Sequence, residues 1–202
     1  MPKILKGIYN MRVIAGTRRS LPLKTLEGDA TRPTADRYKE TLFNVMQTEI
    51  PGSRFLDLFA GSGGIGIEAL SRGARHAVFV ENSRKAHAVI RDNIHFTKFE
   101  NEADLILSDA VSYVRNLPAV DFDIIFMDPP YNNGLEQQVL TVLSGKKFKN
   151  PDPLIVVESS LEEDFSYLSE LGFMIEKVKA YRTNKHVFIR RREISEEVKE
   201  NG

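Results

Sequence analysis

The sequence predicts an α/β fold: a seven-stranded, mixed and mostly parallel sheet with helices on both faces, preceded by an N-terminal β-hairpin. From residue 54 to residue 171, apolar runs of strand length alternate with segments that suit helices, which is typical of repeated β–α units and a parallel sheet. The last two apolar runs, "FMIEKVKAY" and "KHVFIRRR", leave no room for a helix between them. We therefore expect these two to pair antiparallel, so that the last strand runs against its neighbours.

The N-terminal part is expected to form a hairpin and one helix. "MRVIAG" and "LPLKTL" are β-prone runs on either side of "TRRS". After a loop, apolar residues recur at helical spacing as far as Ile50, with Thr34 as a candidate N-cap. We divide the chain into an N-terminal extension with the hairpin (1–33), a β–α domain (34–192) and a charged tail (193–202).

Five β–α units follow in order. The predicted strands are "RFLDLF", "HAVFVE", "ADLILSD", "FDIIFMD" and "PLIVVES". Each precedes a segment expected to be helical; in the same order these are "GSGGIGIEALSRG", "SRKAHAVIRDNIHF", "AVSYVRNL", "GLEQQVLTVL" and "EEDFSYLSEL". The first of these segments opens with a glycine-rich loop, which commonly joins a strand to a helix at a ligand site.

Composition excludes several classes of protein. The chain of 202 residues has no cysteine, which excludes disulfides, zinc thiolates and a thiol nucleophile. No segment has the roughly 18 consecutive apolar residues of a membrane span, and the N-terminus does not resemble a signal peptide, so we expect a cytoplasmic protein. The histidines show no metal-ligand spacing, so we expect no metal; they are His76, His87, His95 and His186.

Positive charge is concentrated in two zones, although the net charge is zero. Residues 1–40 hold nine Lys or Arg against four Asp or Glu, and the segment "RTNKHVFIRRR" (182–192) has no acid. Such zones favour contact with a polyanion such as RNA. The alternative interpretation is that they are ordinary charged surfaces that only contact solvent.

Four consecutive strands place a carboxylate at or near one edge of the predicted sheet. Asp57 lies in the first strand, and Glu81, Asp109 and Asp128 end the next three. Acids after strands often cap the following helix, and one or two of these could do so. All four beside a glycine loop favour a pocket for a polar ligand at the carboxyl ends of the strands.

The loop favours S-adenosylmethionine over a dinucleotide. Gly61, Gly63 and Gly66 match G-x-G-x-x-G, and Glu81 follows at the spacing of an acid that binds ribose hydroxyls. That match alone is weak, since both cofactors contain adenosine. Asp57, four residues before Gly61, would repel a pyrophosphate but suits the ammonium group of the methyl donor. Asp109 would then accept a hydrogen bond from the adenine amino group.

The stretch "FMDPPYN" suits chemistry on an exocyclic amino group. The lone pair of such a nitrogen is delocalised into its ring, so acceptors on its two N–H bonds favour the more tetrahedral, reactive form. Asp128 offers a carboxylate, Pro129 a carbonyl held by restricted φ, and Tyr131 a flat face worth about 1–3 kcal/mol of base stacking. An ordinary carboxylate suffices as base, because the nitrogen becomes very acidic once alkylated.

These motifs resemble those of a known family. "DLFAGSGGIGIEAL", Glu81, "SDA" and "DPPY" look like a Rossmann-like class I S-adenosylmethionine-dependent methyltransferase acting on amino nitrogens. "MRVIAGTRRSLPL" and "TRPTADRYKETLFNVM" resemble the bacterial 16S rRNA guanine-N2 methyltransferase family (the RsmD type) over nearly all of residues 11–192. The resemblance implies methylation of the 2-amino group of one guanine in 16S rRNA, within the small ribosomal subunit or its late assembly intermediate.

The resemblance also implies roles for individual residues. The catalytic motif is Asp128, Pro129, Pro130 and Tyr131. Cofactor binding is expected from Asp57, Phe59, Gly61, Gly63, Glu81, Asn82, Asp109, Ala110 and Arg32. With an RNA substrate, the two basic zones suggest the hypothesis that phosphates around the target are contacted by Arg12, Arg18, Arg19, Lys24 and Arg37, helped by Arg182, Lys185 and Arg190. Two departures from the family are visible: residues 1–10 precede its usual start, which makes Met11 a candidate start, and Arg18-Arg19-Ser20 replaces an Arg-Gly-Arg-like turn.

Other functions stay open on the residues alone. A related methyltransferase would act on adenine N6, cytosine N4 or a protein glutamine, the last usually with Asn in place of Asp128. An NAD-dependent oxidoreductase would bind NADH and have no use for the motif at 128–131. A non-catalytic RNA-binding assembly factor would keep its cellular role after Asp128→Ala.

Overall fold

The computed structural model describes residues 11–26, 32–131 and 133–192, apart from the side chains of residues 32–35. The hairpin strands are β1 (Met11–Arg12) and β2 (Pro22–Leu23), joined through a short 3-10 helix, Gly16–Arg18. The sheet strands are β3 (Arg54–Leu58), β4 (His76–Glu81), β5 (Ala103–Leu107), β6 (Ile124–Met127), β7 (Leu154–Ser160), β8 (Phe173–Ala180) and β9 (Asn184–Arg191). The helices are α1 (Arg32–Val45), α2 (Gly64–Ser71), α3 (Arg84–Thr97), α4 (Ala110–Asn116) and α5 (Leu135–Ser144).

The seven-stranded sheet has the order β5-β4-β3-β6-β7-β9-β8, and the predicted mixed topology is confirmed. Strands β3 to β7 are parallel, while β9 pairs antiparallel with both β7 and β8. The central strands β6 and β7 are apolar runs because both of their faces are covered. The chain leaves β3 towards β4 and later returns to its other side as β6, so the switch in strand order lies at β3.

Each face of the sheet has its own apolar core. The hairpin, α1, α2 and α3 cover one face, where Phe55, Phe79 and Phe126 contribute large buried rings. Helices α4 and α5 cover the other face, together with the segment around Leu168. Because helices lie on both faces, the ends of the strands are left as the place where a ligand can approach the sheet.

The hairpin packs against α2 through a buried carboxylate. Glu68 accepts hydrogen bonds from the backbone N–H groups of Ile14 (2.8 Å) and Ala15 (3.0 Å). Gly16 has φ +81°, and a Cβ there would lie 1.8 Å from the Ser71 carbonyl oxygen, so only glycine fits. Ser20, in the turn that departs from the family pattern, has φ 70°, a backbone conformation that favours glycine.

Two local predictions are wrong. The segment "EEDFSYLSEL" forms only a short 3-10 helix, Ser166–Ser169. Asp164 accepts hydrogen bonds from the N–H and the hydroxyl of Ser166 before this helix, and Gly172, with φ +75°, ends the segment. Thr34 is not an N-cap, since α1 already begins at Arg32; Pro33 suits a first helical turn, where its missing N–H has no partner to lose.

The predicted tail, 193–202, and residues 1–10 lie outside the described residues. Within the described part of the chain, every helix is too short or too polar to span a bilayer.

Candidate active site

The carboxyl ends of β3, β4, β6 and β7 meet at one edge of the sheet, called the catalytic rim below. Asp57 lies in β3, Glu81 ends β4, Asp128 follows β6 directly, and Glu158 lies near the end of β7. The parallel pairing of these strands brings the carboxylates together from distant parts of the sequence. The rim also includes the switch in strand order, where open α/β sheets bind their ligands.

The glycine loop between β3 and α2 is held in an unusual backbone conformation. Phe59, Gly61 and Gly63 have φ values of 62°, 56° and 79°. Gly61 donates its N–H to Glu81 Oε2 (2.9 Å), while Glu81 Oε1 accepts from the N–H of Ser83 (2.7 Å). Both oxygens of Glu81 are thereby fixed in place, and each retains a free lone pair for a ligand hydroxyl.

Gly63 and Gly66 allow close packing between the loop, α2 and the side chains beneath them. Gly63 has a positive φ, and a Cβ there would lie 3.1 Å from Ile90. A Cβ on Gly66 would lie 2.3 Å from the ring of Phe79, so this glycine allows α2 to pack closely on β4. Its N–H donates to Asp57 Oδ2 (2.9 Å). The motif therefore sets the approach of helix to sheet as well as the shape of the loop.

Two cavities open at the catalytic rim and share Phe59 and Asp128. The first cavity, of about 430 Å³, lies over the ends of β4 and β5; its lining includes Glu81, Asn82, Ser108, Ala110, Pro129, Pro130, Tyr131 and Leu135. The second cavity, of about 300 Å³, lies between α1 and the sheet; its lining includes Met11, Tyr38, Lys39, Asp57, Gly61, Glu158 and His186. Most of the predicted catalytic and cofactor residues thus line one divided cleft, whereas Gly63 and Asp109 line neither cavity.

Two carboxyl groups of the cleft, Asp57 and Asp128, have raised pKa values. Burial raises the pKa of Asp57 to about 7, against the opposing hydrogen bond from Gly66, and the charge of Glu81 raises it further. Asp128 is accessible from the cavities but closely surrounded by protein, and this desolvation, followed by the charges of Glu158 and Asp57, raises its pKa well above the usual range. A cation placed in the cleft would relieve this repulsion.

Tyr131 presents its ring at the mouth of the first cavity. Its side chain is 41% exposed, and its hydroxyl donates to Glu158 Oε1 at 3.3 Å. Pro129 is buried and Pro130 exposed, so the motif turns outwards after β6. An exposed, hydroxyl-tethered ring beside Asp128 suits the stacking of a flat substrate.

Sequence reasoning missed Glu158, a half-buried carboxylate that accepts a hydrogen bond from Tyr131. Glu158 also accepts from Asn184 Nδ2 and contacts His186 Nε2 at 3.1 Å, and His186 Nδ1 contacts the Tyr181 hydroxyl at 3.1 Å. The signal was present, because "PLIVVES" carries a fifth carboxylate at the end of a fifth strand. The partners from β9 could not be read from a local pattern.

Asp109 has a structural role that the sequence left open. Its carboxylate caps α4 by accepting from the N–H of Ser112 (2.8 Å), and that hydrogen bond lowers its pKa. Ser108 and Ala110 on either side line the first cavity. A contact of Asp109 with adenine remains a prediction, and the side chain of Arg32 lies outside the described residues.

Some of the predicted RNA-binding residues lie near the cleft. Arg12 follows Met11 of the second cavity and pairs with Asp36 (2.8 Å). Arg37 is exposed on α1, and Arg182 is exposed in the β8–β9 turn, next to Tyr181. Two further cations are tied to the protein: Lys185 donates to the carbonyls of Leu161 (2.9 Å) and Glu163 (2.6 Å), and Lys24 pairs with Asp92.

Arg18, Arg19 and Arg190 lie away from the catalytic rim. The Arg18 N–H binds Ser71 at the far end of α2, about 12 Å along that helix from the glycine loop, and Arg19 is exposed in the same turn. Arg18 Nε also donates to the Thr97 carbonyl (2.7 Å). Arg190 lies near the opposite end of the sheet, since β9 is antiparallel, and pairs with Glu49 (2.9 Å) and Glu176 (2.8 Å). We therefore expect Arg18, Arg19 and Arg190 to lie outside the ring of cations around the target base, and their contact with RNA stays a prediction.

The donor set of the cleft fits a positively charged adenosine cofactor. The second cavity is lined by Asp57, Asp128 and Glu158 and by one lysine, Lys39, whose ammonium group already pairs with Glu68 (3.3 Å). An ammonium or sulfonium group is therefore favoured there and a pyrophosphate is repelled. In the first cavity Glu81 is positioned to accept two ribose hydroxyls. Among the described residues, no group of three His, Cys, Asp or Glu could hold a metal ion.

Comparison with known proteins identifies relatives of this chain. The sequence profile of the family described as Conserved hypothetical protein 95 matches residues 11–189. The chain is 36% identical to Ribosomal RNA small subunit methyltransferase D of Haemophilus influenzae over 157 residues, 76% of this chain and 80% of that protein. It is 35% identical to the protein of the same name from Escherichia coli (strain K12) over 156 residues, 77% of this chain and 78% of that protein.

Solved structures show the same fold. The Escherichia coli protein yhhF superposes with a TM-score of 0.77 at 30% identity, covering 90% of this chain and 97% of that one. The ribosomal protein L11 methylase of Lactobacillus delbrueckii subsp. bulgaricus superposes with a TM-score of 0.65 at 16% identity, covering 81% of each chain. The sheet order, the helices on both faces and the antiparallel last strand are those of class I methyltransferases.

Proposed function

We propose that this chain, which belongs to the Conserved hypothetical protein 95 family, methylates the exocyclic N2 amine of a guanine in 16S rRNA, with S-adenosylmethionine as methyl donor. The observation that carries the proposal is Asp128-Pro129-Pro130-Tyr131 at the end of β6, where it borders both cavities. Relatives at 35–36% identity are named rRNA small subunit methyltransferases. The expected substrate is the small subunit or its late assembly intermediate, in the cytoplasm.

The motif would activate the amino group by holding it. The Asp128 carboxylate accepts one N–H and the Pro129 carbonyl the other, which shifts the nitrogen lone pair out of the ring and towards the electrophile. Tyr131 stacks on the base and fixes its plane. When bound, the cofactor supplies a sulfonium methyl group as the electrophile. Asp128 then accepts the proton of the alkylated nitrogen, which is a far stronger acid than the free amine.

The cofactor would extend across both cavities. Glu81 accepts the ribose hydroxyls, and Asn82 and Ala110 line the space left for the adenine. Asp57, with its raised pKa, binds the methionine ammonium group and becomes ionised in doing so. The loop at Gly61 brings backbone N–H groups close to the ligand because no side chain intervenes.

The RNA surface would surround the second cavity. Arg12, Arg37 and Arg182 are exposed and would contact phosphates, while the target guanine would leave its stack to reach Tyr131. Such extrusion is easiest in an RNA loop, where bases are already partly unstacked. Lys185 is already bonded to two carbonyls and would contribute its charge more than a direct contact.

The test is transfer of a labelled methyl group to small subunits from cells that lack the enzyme. We expect N2-methylguanosine after digestion of the RNA, with loss of transfer in Asp128→Ala. Glu170→Ala, which removes an exposed acid, is the control and should retain transfer. Methylated adenine or cytosine, or transfer to DNA or protein, would refute the substrate. Binding of NADH in place of the methyl donor would refute the reaction.

A further inference from the structure

Glu158 connects the catalytic motif to β9. Its carboxylate lies across the strand end from Asp128, lines the second cavity, and accepts the hydroxyl proton of Tyr131 at 3.3 Å. That distance is longer than the roughly 2.7–2.8 Å of a typical O–H···O bond, as is common for catalytic groups before the substrate binds.

Glu158 is itself held by the neighbouring strand. The β7–β9 register places Glu158 opposite His186, whose side chain is 1% exposed and whose Nε2 contacts Glu158 Oε2. Asn184, also buried, donates to the other oxygen. His186 is held in turn by Tyr181, which packs edge-on against Tyr38 of α1 with ring centroids 4.7 Å apart. Because two buried donors hold the Glu158 carboxylate in place, it can fix the orientation of the Tyr131 hydroxyl that it binds.

We infer that Glu158 is a positioning residue: it holds the Tyr131 ring in its stacking position through the hydroxyl, and its charge makes Asp128 a stronger proton acceptor. This inference rests on the proposed function, since it assigns Glu158 a part in the same reaction. It goes beyond the DPPY motif because the group comes from the next strand. Glu158 does not touch the reacting atoms; it acts through Tyr131 and Asp128.

The protonation of the cleft supports the second half of the inference. Burial alone would raise the pKa of Glu158, but the hydrogen bond and electrostatic interaction with His186, together with the hydrogen bonds from Asn184 and Tyr131, outweigh it and lower the pKa, which favours the ionised form of Glu158. Desolvation and then this charge raise the pKa of Asp128. The titratable or charged groups that line the two cavities with Asp128 are Tyr38 and Lys39 of α1, Asp57 of β3, Glu81 of β4, Tyr131, Glu158 of β7 and His186 of β9.

A kinetic cycle tests the positioning of Tyr131. Tyr131→Phe keeps the ring and loses only the hydroxyl, while Glu158→Ala loses the acceptor. On the alkaline plateau of the pH profile, each change should lower kcat/KM for small subunits by about tenfold, and the double variant by about the same factor. A loss of about one hundredfold in the double variant would mean independent roles and would overturn the inference.

The pH profile tests the effect of charge. Glu158→Gln keeps the size and a hydrogen-bond acceptor but removes the charge, so the pKa of Asp128 should fall. Because Asp128 must be ionised to accept, the acid limb of the kcat profile should move to lower pH. Glu162→Gln, which alters an exposed acid just beyond β7, is the matched control and should leave the limb in place. A purely structural role for Glu158 would leave the limb in place as well.

A measurement without substrate separates this inference from the proposed function. The protein has six tyrosines and no tryptophan, so labelling with 3-fluorotyrosine gives six ¹⁹F resonances, and Tyr131→Phe assigns one of them. That resonance should shift in Glu158→Gln and Glu158→Ala but not in Glu162→Gln. A shift without methyl transfer to any RNA would sustain the Tyr131–Glu158 contact and refute the function. Normal transfer with an unmoved resonance would refute the contact alone.

Discussion

Replacing Glu68 with Ala should be the most damaging single change outside the cleft. Its side chain is 0% exposed and pairs with Lys39 (3.3 Å), which is 4% exposed, and with Arg72 (2.8 Å). Breaking a buried ion pair on one side costs about 3–5 kcal/mol, because the remaining charge keeps its desolvation penalty. The N–H groups of Ile14 and Ala15 also lose their acceptor, but both residues are only partly buried, so water can replace it. We therefore expect the free energy of unfolding to fall by about 3–5 kcal/mol.

Urea unfolding followed by far-ultraviolet circular dichroism measures this loss. Glu40→Ala, which removes the exposed acid next to Lys39, is the control and should change stability by less than about 0.5 kcal/mol. A loss below about 1 kcal/mol in Glu68→Ala would show that the buried pair is not what holds the hairpin on α2.

The same variant should respond to pH in a defined direction. Burial lowers the pKa of Lys39 from its usual 10.5, and the charge of Glu68 opposes that shift. Without Glu68 the folded-state pKa falls further, so between that pKa and 10.5 the unfolded chain binds the extra proton. Stability of Glu68→Ala should therefore rise with pH in that window, and its deficit against the wild type should be smaller near about pH 9.5 than at pH 7.

Three other measurements test the packing, the cofactor site and the RNA surface. Gly66→Ala should lower the free energy of unfolding by about 1–3 kcal/mol, because its Cβ would lie 2.3 Å from a buried ring, whereas Gly145→Ala, with its nearest atom at 3.8 Å, should not destabilise. Affinity for S-adenosylhomocysteine, measured by equilibrium dialysis, should rise with pH up to about 7 as Asp57 ionises. Asp57→Asn should weaken binding and flatten that pH dependence. A flat profile in the wild type would contradict the assignment of Asp57 to the ammonium group of the cofactor. The slope of log affinity against log salt concentration for subunit binding should shrink by about 0.7–0.9 in Arg37→Ala and stay unchanged in Arg190→Ala. Equal slopes in both variants would contradict this placement of the RNA surface.

The sheet and the core of the site could be predicted because their signals are local. Apolar runs of strand length, a glycine loop and acids at strand ends are all readable within a few residues, and parallel pairing brings them to one edge. Asp57, Glu81 and Asp128 reached the cleft for that reason.

The features that the sequence could not show depend on partners distant in the chain. Arg190 lies in a basic run, but it pairs with Glu49, 141 residues away, at the end of the strands opposite the catalytic rim. Arg18 lies away from the rim because α2 and α3 fix the position of its turn. Local charge density does not reveal which charges are neutralised in the folded protein, and a short apolar pattern such as 162–171 does not decide between an α-helix and a 3-10 turn.

The negative charge of the cleft suits both the binding of a sulfonium cofactor and the ionisation of Asp128 in the proposed methyl transfer. Asp57, Asp128 and Glu158 converge on the second cavity. Desolvation raises the pKa values of Asp57 and Asp128; the charge of Glu81 adds to the shift at Asp57, and the charges of Glu158 and Asp57 add to it at Asp128. An NAD-type cofactor would add two negative phosphates to this environment, whereas a sulfonium cofactor carries positive charge where the carboxylates need it. A cation in the second cavity lowers the pKa of Asp128, and an ionised Asp128 is the form that can hold and then deprotonate an amine. The same electrostatics that select the cofactor therefore prepare the acceptor for the substrate.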